Sequence, residues 1–117
     1  MKISMTEALA IDLERSTWVC RKCEHEHGSA DQGYKHGLLV RARDPREVHQ
    51  AILDPQQYKN TFAPQPEWVR ILEYYCPQCA LLVEAEYLPP GHPPLDDMRF
   101  DLDSLRALVA RGQGATP

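Results

Sequence analysis

The chain has 117 residues, a formal net charge of −4 and 43% hydrophobic residues. This length fits one domain with a modest core, and the acidic balance argues against a nucleic-acid module, because phosphate binding needs a basic surface. No apolar run approaches the roughly 20 residues that a membrane span requires. No secretory signal peptide is recognised, so we expect a cytoplasmic protein whose cysteines are reduced.

The first 16 residues are compatible with two secondary structures. Leu9, Ile11 and Leu13 alternate with other residues, and this period of two is typical of a strand. A short helix over residues 6–13 is the alternative, and we favour the strand. Further along, residues 24–37 are polar and contain three histidines and three glycines, which predicts a solvated loop.

The sequence of residues 38–43 is typical of a strand, and a short helix is predicted directly after it. Asp44 is suited to cap this helix, Pro45 to its first position and Glu47 to a capping box. The helix should end near residue 54, before a proline, with an apolar face formed by Val48, Ala51 and Ile52. Residues 56–66 then predict an extended loop with the exposed aromatic residues Tyr58 and Phe62.

The C-terminal half predicts a hairpin, a proline-rich arm and a helix. Residues 67–75 and 81–88 alternate as two strands, and the Cys76-Pro77-Gln78-Cys79 sequence lies at the tip between them. Residues 88–94 contain four prolines, which exclude a helix or an inner strand. A last helix should open at Asp101 and stop near Gly112, with an apolar face formed by Leu105, Leu108 and Val109.

All four cysteines of the chain fall into two C-x-x-C pairs with 52 residues between them. Two thiolates three positions apart can hold one ion from a tight turn, and a second pair completes the tetrahedral sulfur site that suits zinc. We therefore predict that one structural Zn²⁺ is bound by the cysteines at four positions: Cys20, Cys23, Cys76 and Cys79.

Several alternatives to this site remain open at the level of sequence. His25 or His27 could replace one cysteine, although four cysteines need no histidine. Two disulfides or a redox pair are disfavoured, because C-x-x-C closes a very short loop and a strand follows Cys79. Four thiolates also hold iron, as in rubredoxin-like proteins. A closed four-thiolate site has no open coordination position, so no catalytic residue is expected in this chain.

These elements predict a small α+β fold, mainly β, with a zinc-ribbon-like hairpin core, extended proline-rich arms and short helices. Residues 1–17 are expected to form an N-terminal arm or strand, residues 18–88 a zinc-ribbon-like domain, and residues 89–117 an extended C-terminal arm with a short helix. Such a chain could act alone as a zinc-ribbon binding module or serve as a subunit of an assembly.

The chain resembles the small gamma subunits of acetone and acetophenone carboxylases over roughly residues 18–105. The resemblance rests on five stretches: WVCRKC (18–23), RDPREVH (43–49), FAPQPEWVR (62–70), EYYCPQC (73–79) and EYLPPGHP (86–93). One departure is Ala80, where a glycine commonly follows the second pair, and this residue argues against a left-handed backbone conformation there.

The resemblance implies a non-catalytic, zinc-binding structural subunit of an ATP-dependent ketone carboxylase. Large hydantoinase-related subunits would be its partners and would hold ATP and any Mg²⁺ or Mn²⁺. The family's metal ligands map onto the four cysteines, and nothing maps onto a catalytic residue. Because this chain is shorter than acetone-type gamma subunits, the acetophenone carboxylases are favoured over the acetone carboxylases.

Overall fold

A computed structural model describes residues 1–49, 54, 56, 57 and 65–112. The chain divides into two compact units. Unit 1 comprises Met1–Leu39, Tyr74–Val83 and Asp96–Pro117, and unit 2 comprises Val40–Glu73 and Glu84–Leu95. The domain boundaries expected from the sequence, after residues 17 and 88, do not coincide with the limits of these units, and they remain a prediction.

The N-terminal residues form an antiparallel sheet, as the alternation of apolar residues predicted. Its strands are β1 (Lys2–Ser4), β2 (Leu9–Asp12), β3 (Thr17–Cys20) and β4 (Glu26–Ser29), in that spatial order. Ile3 pairs with Ile11 and Ile11 pairs with Trp18, so three large apolar residues lie side by side. All three are buried in the core of unit 1.

The segment predicted as a solvated loop, residues 24–37, is instead largely ordered structure. It contains β4 and a 3₁₀ helix, Tyr34–Gly37. Trp18 Nε1 donates a hydrogen bond to the carbonyl of Gln32 at 3.0 Å, and the Tyr34 ring packs edge-on against Trp18 at 5.8 Å between centroids. The polar composition of the segment did not predict this order, because the order comes from backbone pairing with β3 and from the packing of one aromatic residue, Tyr34.

The last helix of the chain has the ends that the sequence predicted. It runs over Leu102–Ala110, and the Asp101 carboxylate caps it by accepting the amide N–H of Asp103. Gly112 follows with a φ of 77°. Leu102 is buried in the core of unit 1, and Leu105 and Val109 pack against that core. We call this helix the C-terminal helix.

A second sheet has the strand order β5-β6-β7, formed by Leu39–Arg43, Arg70–Tyr75 and Leu82–Leu88. Only residues 76–81 join β6 to β7, and so short a connection makes the pair an antiparallel hairpin, as predicted. The strand expected over residues 67–75 begins only at Arg70. Trp68 lies in a turn, where its amide N–H donates to the Gln65 carbonyl at 3.0 Å.

Unit 2 also confirms the predicted helix start. A short helix covers Pro45–Val48, and the Asp44 side chain accepts the amide N–H of Arg46 at 2.9 Å. Before it, Arg43 Nη1 lies 3.3 Å from a carboxylate oxygen of Glu73. The remaining predicted positions of this helix face and of the aromatic loop lie outside the described residues: Ala51, Ile52, Tyr58 and Phe62.

The proline-rich stretch after β7 forms neither helix nor strand up to Asp101, as its missing backbone donors predicted. The Leu95 amide N–H donates to the Glu86 carboxylate at 2.9 Å, which fixes one point of this stretch. Within the described part of the chain, neither the length nor the apolarity of any helix suffices to cross a bilayer.

Candidate metal centre

The two C-x-x-C turns have the same backbone hydrogen bonds. The first follows β3, and the second follows β6. In the first, the amide of Glu24 donates to the Cys20 carbonyl at 2.9 Å; in the second, the amide of Ala80 donates to the Cys76 carbonyl at 2.9 Å. The amides of Cys20 and Cys76 also donate across each turn, both at 2.9 Å, to the carbonyls of His25 and Leu81. Two sequences that share only their cysteines therefore fold as the same knuckle.

The residue after each second cysteine adopts a left-handed conformation. Glu24 has a φ of 65° and Ala80 a φ of 61°. The expectation that a non-glycine residue would avoid this conformation at Ala80 was wrong. An L-residue in this region costs roughly 1–2 kcal/mol, and the two backbone hydrogen bonds of each knuckle offset that cost.

The knuckles bring all four predicted ligands together inside unit 1. Their sulfur atoms all lie within 4.8 Å of one another. Cys20 Sγ lies 3.7 Å from Cys79 Sγ, and Cys23 Sγ lies 3.7 Å from Cys76 Sγ. A tetrahedron with Zn–S bonds of about 2.3 Å has S···S edges of about 3.8 Å. The cysteines are free thiols, and their spacing far exceeds the roughly 2.05 Å of a disulfide, so the cluster fits one tetrahedral ion.

The electrostatics of two thiols also fit a metal site. Burial raises the pKa of Cys20, but amide N–H groups of Cys23 and Lys22 and the neighbouring thiols outweigh it and lower the pKa to about 7. The His25 amide lowers the pKa of Cys23, but burial and the three other thiols outweigh it and raise the pKa to about 12. One sulfur is therefore readily ionised, whereas a fully ionised cluster needs a cation.

His27 lies beside this cluster, contrary to the solvated position predicted for it. Its side chain is buried, and its Nε2 lies 3.2 Å from Cys76 Sγ. Burial, and secondarily the charge of His25, lowers the pKa of His27. The His25 ring is only partly buried and lies 5.8 Å from the His27 ring. The sequence analysis allowed either histidine to replace a cysteine, but it gave no sign that His27 lies against the second knuckle.

Comparison with known proteins agrees with the resemblance of the motifs. The sequence model of the family described as acetone carboxylase gamma subunit matches residues 3–110. The chain is 44% identical over 111 residues to the acetophenone carboxylase beta subunit of Aromatoleum aromaticum (strain EbN1), covering 95% of this chain and 84% of that protein. It is 30% identical over 87 residues to the acetone carboxylase gamma subunit of Xanthobacter autotrophicus (strain Py2), covering 74% of this chain and 49% of that protein.

The acetophenone relative is thus named a beta subunit, whereas the sequence resemblance suggested the term gamma for both kinds of enzyme. The matched region spans both knuckles and the Ala80 position. Because the family model covers nearly all of the chain and one relative is 44% identical over most of its length, the chain belongs to the acetone carboxylase gamma subunit family.

Proposed function

We propose that this chain is a zinc-binding structural subunit of an ATP-dependent ketone carboxylase and stabilises the assembly of the large catalytic subunits. The observation that carries the proposal is the cluster of four free thiols in a family of carboxylase subunits. Cys20, Cys23, Cys76 and Cys79 would each supply one thiolate to a single Zn²⁺. The ion would then have no open position for substrate, which suits a structural role.

The metal would join parts of unit 1 that are far apart in sequence. The first knuckle follows a strand of the N-terminal sheet, and the second lies more than 50 residues later. A structural zinc contributes about 10–16 kcal/mol to folding in small domains at pH 7. The core of unit 1 is small, so the ion would supply a large share of its stability.

Exposed apolar side chains support a role in assembly. Within unit 2, Trp68 is 77% exposed, Val40 59% and Tyr87 49%. Aromatic residues are enriched in the buried centres of protein interfaces, and a subunit that covers such side chains only in its complex has low stability alone. We propose that large, hydantoinase-related subunits are the partners and that they hold ATP and any Mg²⁺ or Mn²⁺ in a cytoplasmic hetero-oligomer.

Among ketone substrates, acetophenone is favoured for the whole complex. The acetophenone relative shares 44% identity over 84% of its own length, whereas the acetone relative shares 30% over 49%. The test is turnover of the native complex with ATP and bicarbonate, using acetophenone and acetone in parallel. Carboxylation of acetone alone would refute this preference but leave the structural role intact.

The structural role itself is tested by affinity purification of the tagged chain from its native host. We expect much larger subunits to co-purify in fixed proportion. Cys76→Ser should lower the yield of complex, because it removes one of four ligands, while the complex that does form keeps its turnover per assembled enzyme. Isolation of the chain as a stable monomer, or a normally assembled variant complex without turnover, would contradict the proposal.

A further inference from the structure

Among the described residues, Cys76 is the cysteine whose sulfur an imidazole contacts. His27 Nε2 lies 3.2 Å from Cys76 Sγ, and both side chains are buried, with exposed fractions of 6% and 1%. This distance is within hydrogen-bonding range for a sulfur acceptor. A metal-bound thiolate keeps lone pairs that can accept an N–H, and such outer-sphere bonds tune the metal.

The other ring nitrogen fixes the tautomer. Among the described residues, His27 Nδ1 is buried and has no hydrogen-bond partner. With the proton on Nδ1, a buried N–H would lack an acceptor and the Nε2 lone pair would face a thiolate, and both arrangements are unfavourable. With the proton on Nε2, the ring donates to sulfur and only a lone pair stays unpaired. The neutral Nε2–H form is therefore favoured.

The backbone of β4 is built to direct this side chain. Trp18 pairs with Gly28 and Val19 pairs with Glu26, so His27 is an extra residue in β4 and forms a β-bulge against β3. A bulge re-aims the side chain of the strand that carries it. Without the extra residue, the regular alternation of the strand would govern the direction of the imidazole.

Gly37 holds the bulge in place by close contact. A Cβ atom at residue 37 would lie 1.5 Å from the carbonyl oxygen of His27 and 2.9 Å from its Cβ. The end of the 3₁₀ helix thus packs directly on the His27 backbone, and only glycine fits there. Two independent features, a bulge and a steric requirement for glycine, converge on one histidine.

We propose that His27 is an outer-sphere positioning residue of the metal centre, with its neutral Nε2–H donating to the Cys76 thiolate. The inference rests on the proposed four-cysteine metal site. The hydrogen bond would offset part of the negative charge that four thiolates place around one divalent ion. It would also hold Cys76 Sγ in the orientation that closes the tetrahedron.

The test uses the full chain loaded with Co²⁺, whose sulfur-to-metal charge-transfer band reports the electron density on the thiolates. We compare His27→Leu, which removes the donor, with His27→Gln, whose amide N–H reaches a position similar to Nε2. The control is His25→Leu, because the His25 ring lies beside the His27 ring, at 5.8 Å between centroids, and the variant keeps the His25 amide that bonds to the Cys23 sulfur. His27→Leu should move the band to lower energy and weaken Co²⁺ binding about tenfold or more, His27→Gln should restore much of both, and His25→Leu should change neither.

A normal band and normal Co²⁺ affinity in His27→Leu would overturn the inference while leaving the metal site intact. If wild-type protein bound no tetrahedral Co²⁺, the proposed metal site would fail as well. Should His27→Leu not fold, the tautomer of His27 in zinc-loaded wild-type protein decides, measured by long-range proton–nitrogen NMR. We expect a protonated Nε2 and a bare Nδ1; a proton on Nδ1, or Nε2 bound to the metal in place of a sulfur, would refute the inference.

Discussion

The packing of the C-terminal helix can be tested by one substitution, Leu102→Ala. Leu102 is 7% exposed and belongs to the buried cluster of unit 1 that includes Leu9, Ile11 and Trp18. The sequence alone suggested an arm, whereas this contact makes the helix part of the core. Truncating the side chain should therefore leave a cavity beneath the first turn of the helix.

Leu→Ala substitutions in cores cost about 2–5 kcal/mol. Because Leu102 keeps a small exposed fraction and lies at a helix end, where neighbours can relax, we expect about 2–4 kcal/mol. For a domain of this size, 1 kcal/mol shifts Tm by about 4 °C, so Tm should fall by about 8–16 °C. The control is Leu95→Ala, a half-exposed leucine outside this cluster, for which we expect less than about 1 kcal/mol.

Urea and thermal unfolding of the zinc-loaded full chain measure both variants. Trp18 is 1% exposed in the same cluster, so its fluorescence reports the unfolding of the core directly, and Trp68→Phe can remove the signal of the exposed tryptophan. If Leu102→Ala and Leu95→Ala were equally mild, the helix would not pack on the core and the assignment of Leu102 to it would be wrong.

Three further predictions concern the metal, the bulge and the assembly. Metal affinity should rise with pH by at least about tenfold per unit between pH 7 and 9, because the pKa of Cys23 without metal is about 12 and metal binding must release the thiol proton. Competition with a chelator at several pH values measures the affinity, and an affinity that does not change with pH would contradict this prediction. Gly37→Ala should destabilise the chain by about 3 kcal/mol, since its Cβ would meet the His27 carbonyl; unchanged urea unfolding would refute that contact. Trp68→Ser should change the free energy of unfolding of the isolated chain by less than about 0.5 kcal/mol, because Trp68 is exposed. The same variant should retain less of the large subunits on co-purification, and unaffected co-purification would exclude Trp68 from the interface.

The cluster of four cysteines was accessible from the sequence because its signal is short-range and chemical. Two C-x-x-C pairs with no cysteine left over predict a four-sulfur cluster, and this prediction does not depend on the structure of the residues between the pairs. The Asp44 and Asp101 caps were equally visible, because a capping residue acts on amides two positions away.

Long-range contacts were not accessible in the same way. His27 and Cys76 are 49 residues apart, and nothing in the local pattern says that a bulge turns one toward the other. The face of the C-terminal helix was recognised, but a pattern of apolar residues does not name the sheet that covers it. Ala80 was misjudged because glycine is the usual solution for a positive φ, whereas backbone hydrogen bonds within the knuckle make alanine acceptable there.

The sequence pattern also failed to predict that Trp68 lies in a turn before β6 and not in the strand. Alternation continued from β6 back to residue 67, but the amides of Trp68 and Val69 bond to the Gln65 carbonyl and form a turn instead. A local hydrogen-bonded turn of this kind leaves no trace in a period-two pattern of apolar residues. It also leaves the indole exposed, which is the feature that the assembly prediction uses.

The most direct test of a metal-organised fold is elemental analysis of the purified chain combined with X-ray absorption at the metal edge. We expect one zinc per chain, surrounded by four sulfur neighbours at about 2.3 Å. Iron in the same sulfur environment would colour the protein and make the centre a redox site. A correctly folded chain without metal, or with fewer than four sulfur ligands, would contradict the claim that Cys20, Cys23, Cys76 and Cys79 hold one structural ion.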